Sequence, residues 1–473
     1  MQSEHNTITE THKYYDKFYD DWVQIYDCLS GERAVKAKGE KYLPYPVPLT
    51  DDERTDEFML KYEIYKQNAH FVEFTSDVVD DLTASAFRRD VTISEDLPLE
   101  MEYVDYETMA KEILPLTVAY GRCGVLVDYP TVNDPKLSED RMNKAFYVVY
   151  QPLDIINWDY VRRSGVNTLV RIVLREESED EDFAWQYREL YLDSETGNYT
   201  VRVHYNDGAI VSQPIVPMAN GQTLKFIPFT FVGVTSNNLD IDKSPVIGIS
   251  NTNLKHYQTW AEMAHCQTYI GHPQLVLTGL PSGFNKRAQQ DSIKLTLDAS
   301  NVLALEGEAA SASLLEISGT NLMHYQTLAL LSEMMAEQGR RVKASMSKTG
   351  VESVEAIKVR HAGEISKLGQ AVQNVELALK QILEWMAQFM GSELNTDVNI
   401  NKQFFPPTID GKTIQQLSSS EMSGTLPRGT TTRYLQELEL GGIDPNTDAL
   451  QLLREGQEND PLLPQIPETD GGS

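Results

Sequence analysis

Three cysteines in 473 residues, Cys28, Cys123 and Cys266, stand far apart and without CxxC spacing. That pattern argues against a disulfide framework and against a structural zinc site, and a reducing compartment is the expectation. Long apolar runs are absent as well: nowhere do eighteen apolar residues follow one another, so no membrane-spanning helix is expected. The opening MQSEHNTITETHKYYDKFYDDW lacks the basic start and apolar core of an export signal, and none is read from it. Positive charge is scarce, with 41 Lys and Arg against 70 Asp and Glu and a formal net charge of -29. A protein that grips DNA by neutralising phosphates is normally basic. Any DNA that meets this acidic, self-repelling surface is expected to slide past it.

Catalytic signatures are missing too. GTLPRGTT at 424–431 has the glycine spacing of a phosphate loop, but Thr430 stands where the lysine must be, leaving the phosphate charge unanswered. HAGEIS at 361–366 lacks the second histidine of a zinc-protease helix, and no GxSxG elbow occurs. His256, His265, Cys266 and His272 form the one soft-ligand cluster. On a helix, His256 and His265 lie nine residues apart and point to opposite sides, so packing explains them better than a metal. No carboxylate pair stands out for acid/base work. The expectation is a non-enzymatic chain with no metal and no cofactor.

What the sequence does contain is a succession of helical and β-rich stretches. Aromatic residues Tyr14, Tyr15, Phe18, Tyr19, Trp22 and Tyr26 mark a first helix, and GERAVKAKGEKYLPYP reads as a turn-rich exit. One long helix is expected over 51–89, with Phe58, Tyr62, Tyr65, Ala69, Val72, Asp80 and Ala84 as inner marks. Another spans about 106–120, where Pro115 should kink or restart it. GRCGVLVDYP begins a region of β-branched and aromatic runs that continues to Phe231, with SETGN and NDG as hairpin signals. Within it, EESEDED at 176–182 reads as a solvated loop.

Helices return at 244–270, with Ser250 or Asn251 as N-cap, and at 321–345, separated by short strands and turns. A third helix runs to about Met390, and Ile365, Leu368, Val372, Val375, Leu379, Ile382, Met386 and Phe389 repeat at 3,4 spacing along it. Such a row packs one narrow face on a partner, as a coiled coil or as a core helix. Beyond residue 395, NKQFFPPTIDGKT reads as a link, TTRYLQELELGGIDP as a last helix and PLLPQIPETDGGS as a flexible tail. Near the 321–345 helix end lie Arg340, Arg341, Lys343, Lys348 and Lys358. They suit passing contact with DNA, while Glu337 to Arg341 is also the spacing of a helix-stabilising ion pair.

The order of these segments resembles the phage portal proteins, a portal-like family of tailed phages. The resemblance rests on SGERAVKAKGEKYLP, YEIYKQNAHFVEFTSDVVDDLTASAFRRD, YGRCGVLVDYP, YQPLDIINWDY, IPFTFVGV and SPVIGISNTNLKHYQTWAEMAHCQTYIGHPQLVLTG, in sequence, over about residues 20–390. It implies an α+β, ring-forming portal fold with an α/β wing (1–244), a stem helix (245–269) and a small α/β clip (270–320). A second stem helix (321–345), a tunnel loop (346–358), a long wing helix (359–395), and an α-helical crown with flexible tail (396–473) would follow. Also implied are a ring of about twelve subunits at one capsid vertex, assembly in the host cytoplasm, and double-stranded DNA passing without sequence preference. The terminase large subunit and later head-tail adaptor or tail proteins would dock, with the major capsid protein around the ring. On that reading Asn285, Lys286 and Arg287 are clip docking candidates, and Arg340, Arg341, Lys343, Lys348 and Lys358 line the channel. Another head-tail adaptor or virion scaffold is the alternative reading.

Overall fold

The computed structural model describes residues 8–45, 54–130, 144–163, 165–178, 184–205, 210, 213–271, 274–278, 311–315, 322–343, 366–404 and 411–423. Two compact units divide it, Met1–Lys402 and Gln403–Ser473, and helices and sheets together make it an α+β chain.

The first unit begins with α1 (Lys13–Leu29), whose Tyr15, Trp22, Ile25 and Cys28 are buried. The Trp22 indole Nε1 donates to the Tyr120 carbonyl at 3.3 Å. A short helix, α2 (Glu32–Ala37), occupies part of the expected loop. The single helix expected over 51–89 is two helices, α3 (Asp56–Asn68) and α4 (Phe74–Ala86). Thr55 caps α3 by accepting from the Phe58 amide. The break between them has a partner far along the chain: Asn253 Oδ1 accepts from the Thr75 amide at 3.0 Å, and its Nδ2 donates to the Val72 carbonyl at 2.8 Å. The Thr75 amide is one that a helix start leaves unpaired, while the Val72 carbonyl also accepts from the Phe74 amide. The interruption also resets the phase, so Phe58, Tyr62, Tyr65 and Ala69 point inward as expected while Asp80 and Ala84 are exposed.

After a two-residue strand, β1 (Thr92–Ile93), comes α5 (Tyr106–Tyr120), which runs unbroken through Pro115. Buried Met109, Ile113, Leu114 and Val118 hold both sides of the proline in place, and only the carbonyl of exposed Lys111 loses its helical partner. Gly121 ends α5 at φ 83°, and a Cβ there would lie 2.5 Å from the Asp242 carbonyl. No other residue type allows that approach without strain.

Two antiparallel sheets follow. β2 (Arg122–Asp128) pairs with β3 (Phe146–Tyr150) on one side and with β10 (Phe229–Gly233) on the other. Between them in sequence, β4 (Ile155–Arg163), β5 (Val166–Glu177), β6 (Trp185–Leu192) and β7 (Tyr199–Tyr205) form a four-stranded meander. A small hairpin joins β8 (Met218–Ala219) to β9 (Gln222–Thr223). The Arg122 guanidinium is buried between the rings of Phe231 and Trp158, 3.6 and 4.6 Å from their centroids, and so ties the two sheets together.

EESEDED is not wholly a solvated loop, because Glu176 and Glu177 belong to β5. Glu176 accepts from Arg188 Nε at 2.7 Å and from the Tyr150 hydroxyl at 2.6 Å. Arg188 of β6, which stands opposite Leu174 and reaches Glu176 diagonally, holds half-buried a carboxylate that composition assigns to solvent.

Helix α6 (Ile247–Gly271) starts before the expected cap: Ser250 is fully buried inside it, and Ser244 takes the capping role by accepting from the Val246 amide. Next come the hairpin strands β11 (Gln274–Thr278) and β12 (Ser311–Leu315), then α7 (Leu322–Lys343). The heptad helix is α8 (Lys367–Met390), capped by Ser366 and closed by Gly391 at φ 78°. It begins at Lys367 rather than near 359, since Ser366 has the extended backbone of an N-cap. Its seven described heptad residues are all buried, and so are Ala371, Ala378, Leu383 and Ala387. That face is broader than a coiled-coil seam and packs on α5, β2 and β10 as a core helix. β13 (Val398–Asn399) then pairs with β1. In the second unit, α9 (Gly411–Met422) starts inside the expected link. The TTRYLQELELGGIDP helix and the tail lie outside the described residues.

Burial raises the Glu176 pKa, but the Arg188 charge and the hydrogen bonds from Arg188, Tyr150 and Gln186 outweigh it, and the net shift is downward. A carboxyl held below its unfolded pKa adds stability above the ordinary glutamate range, and this is lost as pH falls through the folded pKa. Glu176→Gln should therefore cost about 2–3 kcal/mol near neutral pH, where it leaves Arg188 without its charge partner. The gap from the parent should narrow below about pH 4, as read by urea denaturation across pH.

Candidate functional site

The segment from α6 to α8 is the candidate site. α6 and α7 pack antiparallel: Gly248 lies against the Gln338 side chain near one end, and Gln267 Nε2 donates to the Tyr325 hydroxyl at 3.1 Å near the other. Just beyond, β11 and β12 pair antiparallel from Gln274↔Leu315 to Thr278↔Ser311. The stretch between these strands, with Asn285, Lys286 and Arg287, lies outside the described residues.

α6 is enclosed by α1, α3, α4 and α7. It therefore buries polar side chains, Ser250, Asn253, His256 and Thr259 among them. His256 packs against the rings of Phe74 and Trp260, and burial pulls its pKa down, with His70 adding to the effect. A neutral imidazole follows. His265 instead meets Tyr65. His272 lies outside the described residues. Among the described residues, no three His, Cys, Asp or Glu side chains converge to hold a metal. No helix among them is long and apolar enough to cross a membrane.

The basic end of α7 is brought together in part. Glu337 takes Arg341 Nε at 3.2 Å and Arg340 Nη1 at 3.6 Å, so the i,i+4 ion pair read from spacing is present. Arg340 remains the more exposed, at 69% of its side chain. Lys343 is only 15% exposed, and its Nζ reaches Asp81 on α4 at 3.2 Å. Cations at a helix C-terminus also gain from the backbone dipole. Lys348 and Lys358 lie outside the described residues. Asp81 was invisible to sequence reasoning because it stands 262 positions from its partner.

A family profile described as a "Domain of unknown function (DUF4055)" matches residues 245–390, under a third of the chain. No protein of the curated collection matches. Among solved structures, a chain in the neck of an empty gene transfer agent (GTA) particle, computed with C6 symmetry, is 10% identical with a TM-score of 0.36. That match covers 78% of this chain and 90% of the other. A chain in the virion of a native gene transfer agent particle is 11% identical with a TM-score of 0.35, covering 88% and 100%. At these scores the shapes are as distant as the sequences, and the functional reading rests on the residues above.

The tie between α7 and α4 can be tested by a double-mutant cycle. Lys343→Ala and Asp81→Ala should each cost below about 1 kcal/mol, and the double variant should cost less than their sum. Additive losses in urea denaturation would show that the pair contributes no coupling.

Proposed function

We propose that the chain is a portal-type subunit of a phage or phage-like particle. About twelve copies form a ring at one vertex of the capsid, and DNA enters and leaves through it. The observation that carries this reading is the antiparallel α6–α7 pair, with the paired strands β11 and β12 between them in sequence and α8 afterwards returning to the core. This order is the one the portal resemblance assigns to stem, clip, stem and wing. The family match over 245–390 begins and ends with the same helical frame.

The mechanism is physical rather than catalytic, and no chemistry, metal or cofactor is assigned to the chain. At -29 per copy, a twelve-membered ring carries roughly -350 formal charges, so most of its wall repels DNA. Contact is left to localised positive rings. Arg340 and the segment that follows α7, with Lys348 and Lys358, supply them. Many weak contacts of ~1 kcal/mol or less let a polyanion slide instead of stopping. Lys343, tied to Asp81, serves mainly to fix the end of α7 from which that segment departs. The clip stretch with Asn285, Lys286 and Arg287 is the docking surface for the terminase large subunit during packaging and for adaptor or tail proteins afterwards.

Purified protein should form rings with a central hole in negative-stain images, without added nucleotide or metal. Arg340→Glu with Lys348→Glu should leave the rings intact and impair packaging or retention of full-length DNA, less so as salt rises. Normal packaging at low salt would remove the channel assignment. A wild-type chain that stays monomeric would favour the adaptor or scaffold reading.

A further inference from the structure

α3, α6 and α7 form a layer with α6 in the middle. Leu254, Tyr257, Ala261 and His265 of α6 face α3 and the Phe71 turn, through contacts with Tyr62, Tyr65, Ala69 and Phe71. Gly248 and Gln267 of α6 face α7. At about 100° per residue they lie roughly 135° and 125° from the centre of the first stripe, one to each side of its opposite pole, so α7 covers a side of α6 turned away from α3.

The contacts also set heights. Tyr65 meets His265 and Phe71 meets Tyr257, so α3 runs antiparallel to α6. α7 does the same, with Gly248 near Gln338 and Gln267 near Tyr325. The flanking helices are therefore parallel to each other. Counting along them brings Ile64 level with Met323 to within about one helical turn. α4 follows α3 in the chain but packs on α7 itself, and its contacts of Val78 at Gly339 and Asp81 at Lys343 give the same offset.

Both outer edges expose large apolar side chains at that height. On α3, Leu60 and Ile64 point away from the buried tyrosines and are 63% and 51% exposed. On α7, Met323, Leu330 and Met334 form a row opposite buried Leu328, Met335 and Val342, and are 77%, 56% and 43% exposed. Arg341 continues that row. At the height of Arg341, α4 exposes Asp80 on the side turned away from Val78, and hence away from the chain's own α7.

We propose that the α3–α4 edge of one copy docks on the α7 edge of the next. Leu60 and Ile64 meet Met323 and Leu330, and Asp80 faces Arg341. The occupant is a second copy because the matching surfaces are different, α3 and α7 lie on different sides of α6, Asp80 is turned away from the chain's own α7, and the surfaces share one height. A rotation about an axis along the helices superposes one edge on the other, which makes a head-to-tail junction that repeats around a ring. The charge pairing fixes the sense of the contact. This inference rests on the ring reading and names the faces that would build it.

The test uses the full chain carrying Cys266→Ser, with Ile64→Cys and Met323→Cys together and separately. Oxidation of the double variant should give a ladder of covalent oligomers in denaturing gels, and neither single variant should. Dimers from one cysteine alone would reveal a self-complementary contact and overturn the junction. Rings in electron micrographs without a ladder would overturn it while the ring reading stands. A parent chain that never assembles would overturn both. As a second measurement, Arg341→Glu should raise the concentration needed for assembly by about tenfold, and adding Asp80→Arg should restore it. Failure of the charge swap to rescue, in variants with unchanged circular dichroism, would count against the pairing.

Discussion

The first unit depends on keeping α6 buried around most of its circumference. A 25-residue helix enclosed by four others cannot be uniformly apolar if its neighbours begin and end against it, because helix ends present unpaired amides and carbonyls. Asn253 answers this by bonding to Val72 and Thr75 across the gap between α3 and α4. Once α4 starts there, Val78 comes to lie 3.1 Å from where a Cβ on Gly339 would be, and the absence of that Cβ lets α7 close on α4. Lys343 then reaches Asp81. The end of α7, where the basic run begins, is thus held by a chain of contacts that starts at one buried amide.

Local patterns in the sequence carried the helix limits of α5 and α7, the β-rich middle and the buried row of α8, because each is a periodicity within one segment. Three readings went astray where a distant residue decided the outcome. The 51–89 stretch has the composition of one helix, but Asn253, some 180 positions on, together with Glu32 and Lys36 of α2, bonds the backbone at the break. Pro115 has the local cost expected of it, but packing on both sides exceeds that cost. Glu176 sits in an acidic run, yet Arg188 on the neighbouring strand reaches it diagonally. At the candidate site the same division holds. The Glu337–Arg341 pair was legible from spacing, whereas the Asp81–Lys343 tie and the outward rows of α3 and α7 required knowing which faces α6 covers.

Arg122 shows how this acidic chain handles positive charge in its interior. Its guanidinium is 2% exposed, and burial lowers its pKa. Its Nε and Nη2 have no hydrogen-bond partner among the described residues, so aromatic faces supply what carboxylates supply for Arg188. Interior cations therefore serve to join strands and sheets. Those left on the surface near the end of α7 are Arg340 and Arg341, about two turns beyond the end of an apolar row.

Net charge and local charge then act at different ranges in the proposed ring. Copies of -29 repel as whole bodies, but at physiological salt the repulsion fades over about 8 Å. Association is decided mainly by groups within that distance of the junction. On the two edges of the α3–α6–α7 layer those groups include exposed apolar side chains, with Arg341 on one edge and the Asp80 carboxylate on the other, while the further charges Glu57–Lys61 and Glu337–Arg340 are paired within the chain. Burying even a few such side chains contributes about 25 cal/mol per Å² of apolar area, and this gain does not depend on ionic strength in the way the repulsion does. A strongly acidic subunit can thus be kept from indiscriminate aggregation by its overall charge and still add the next copy at one edge.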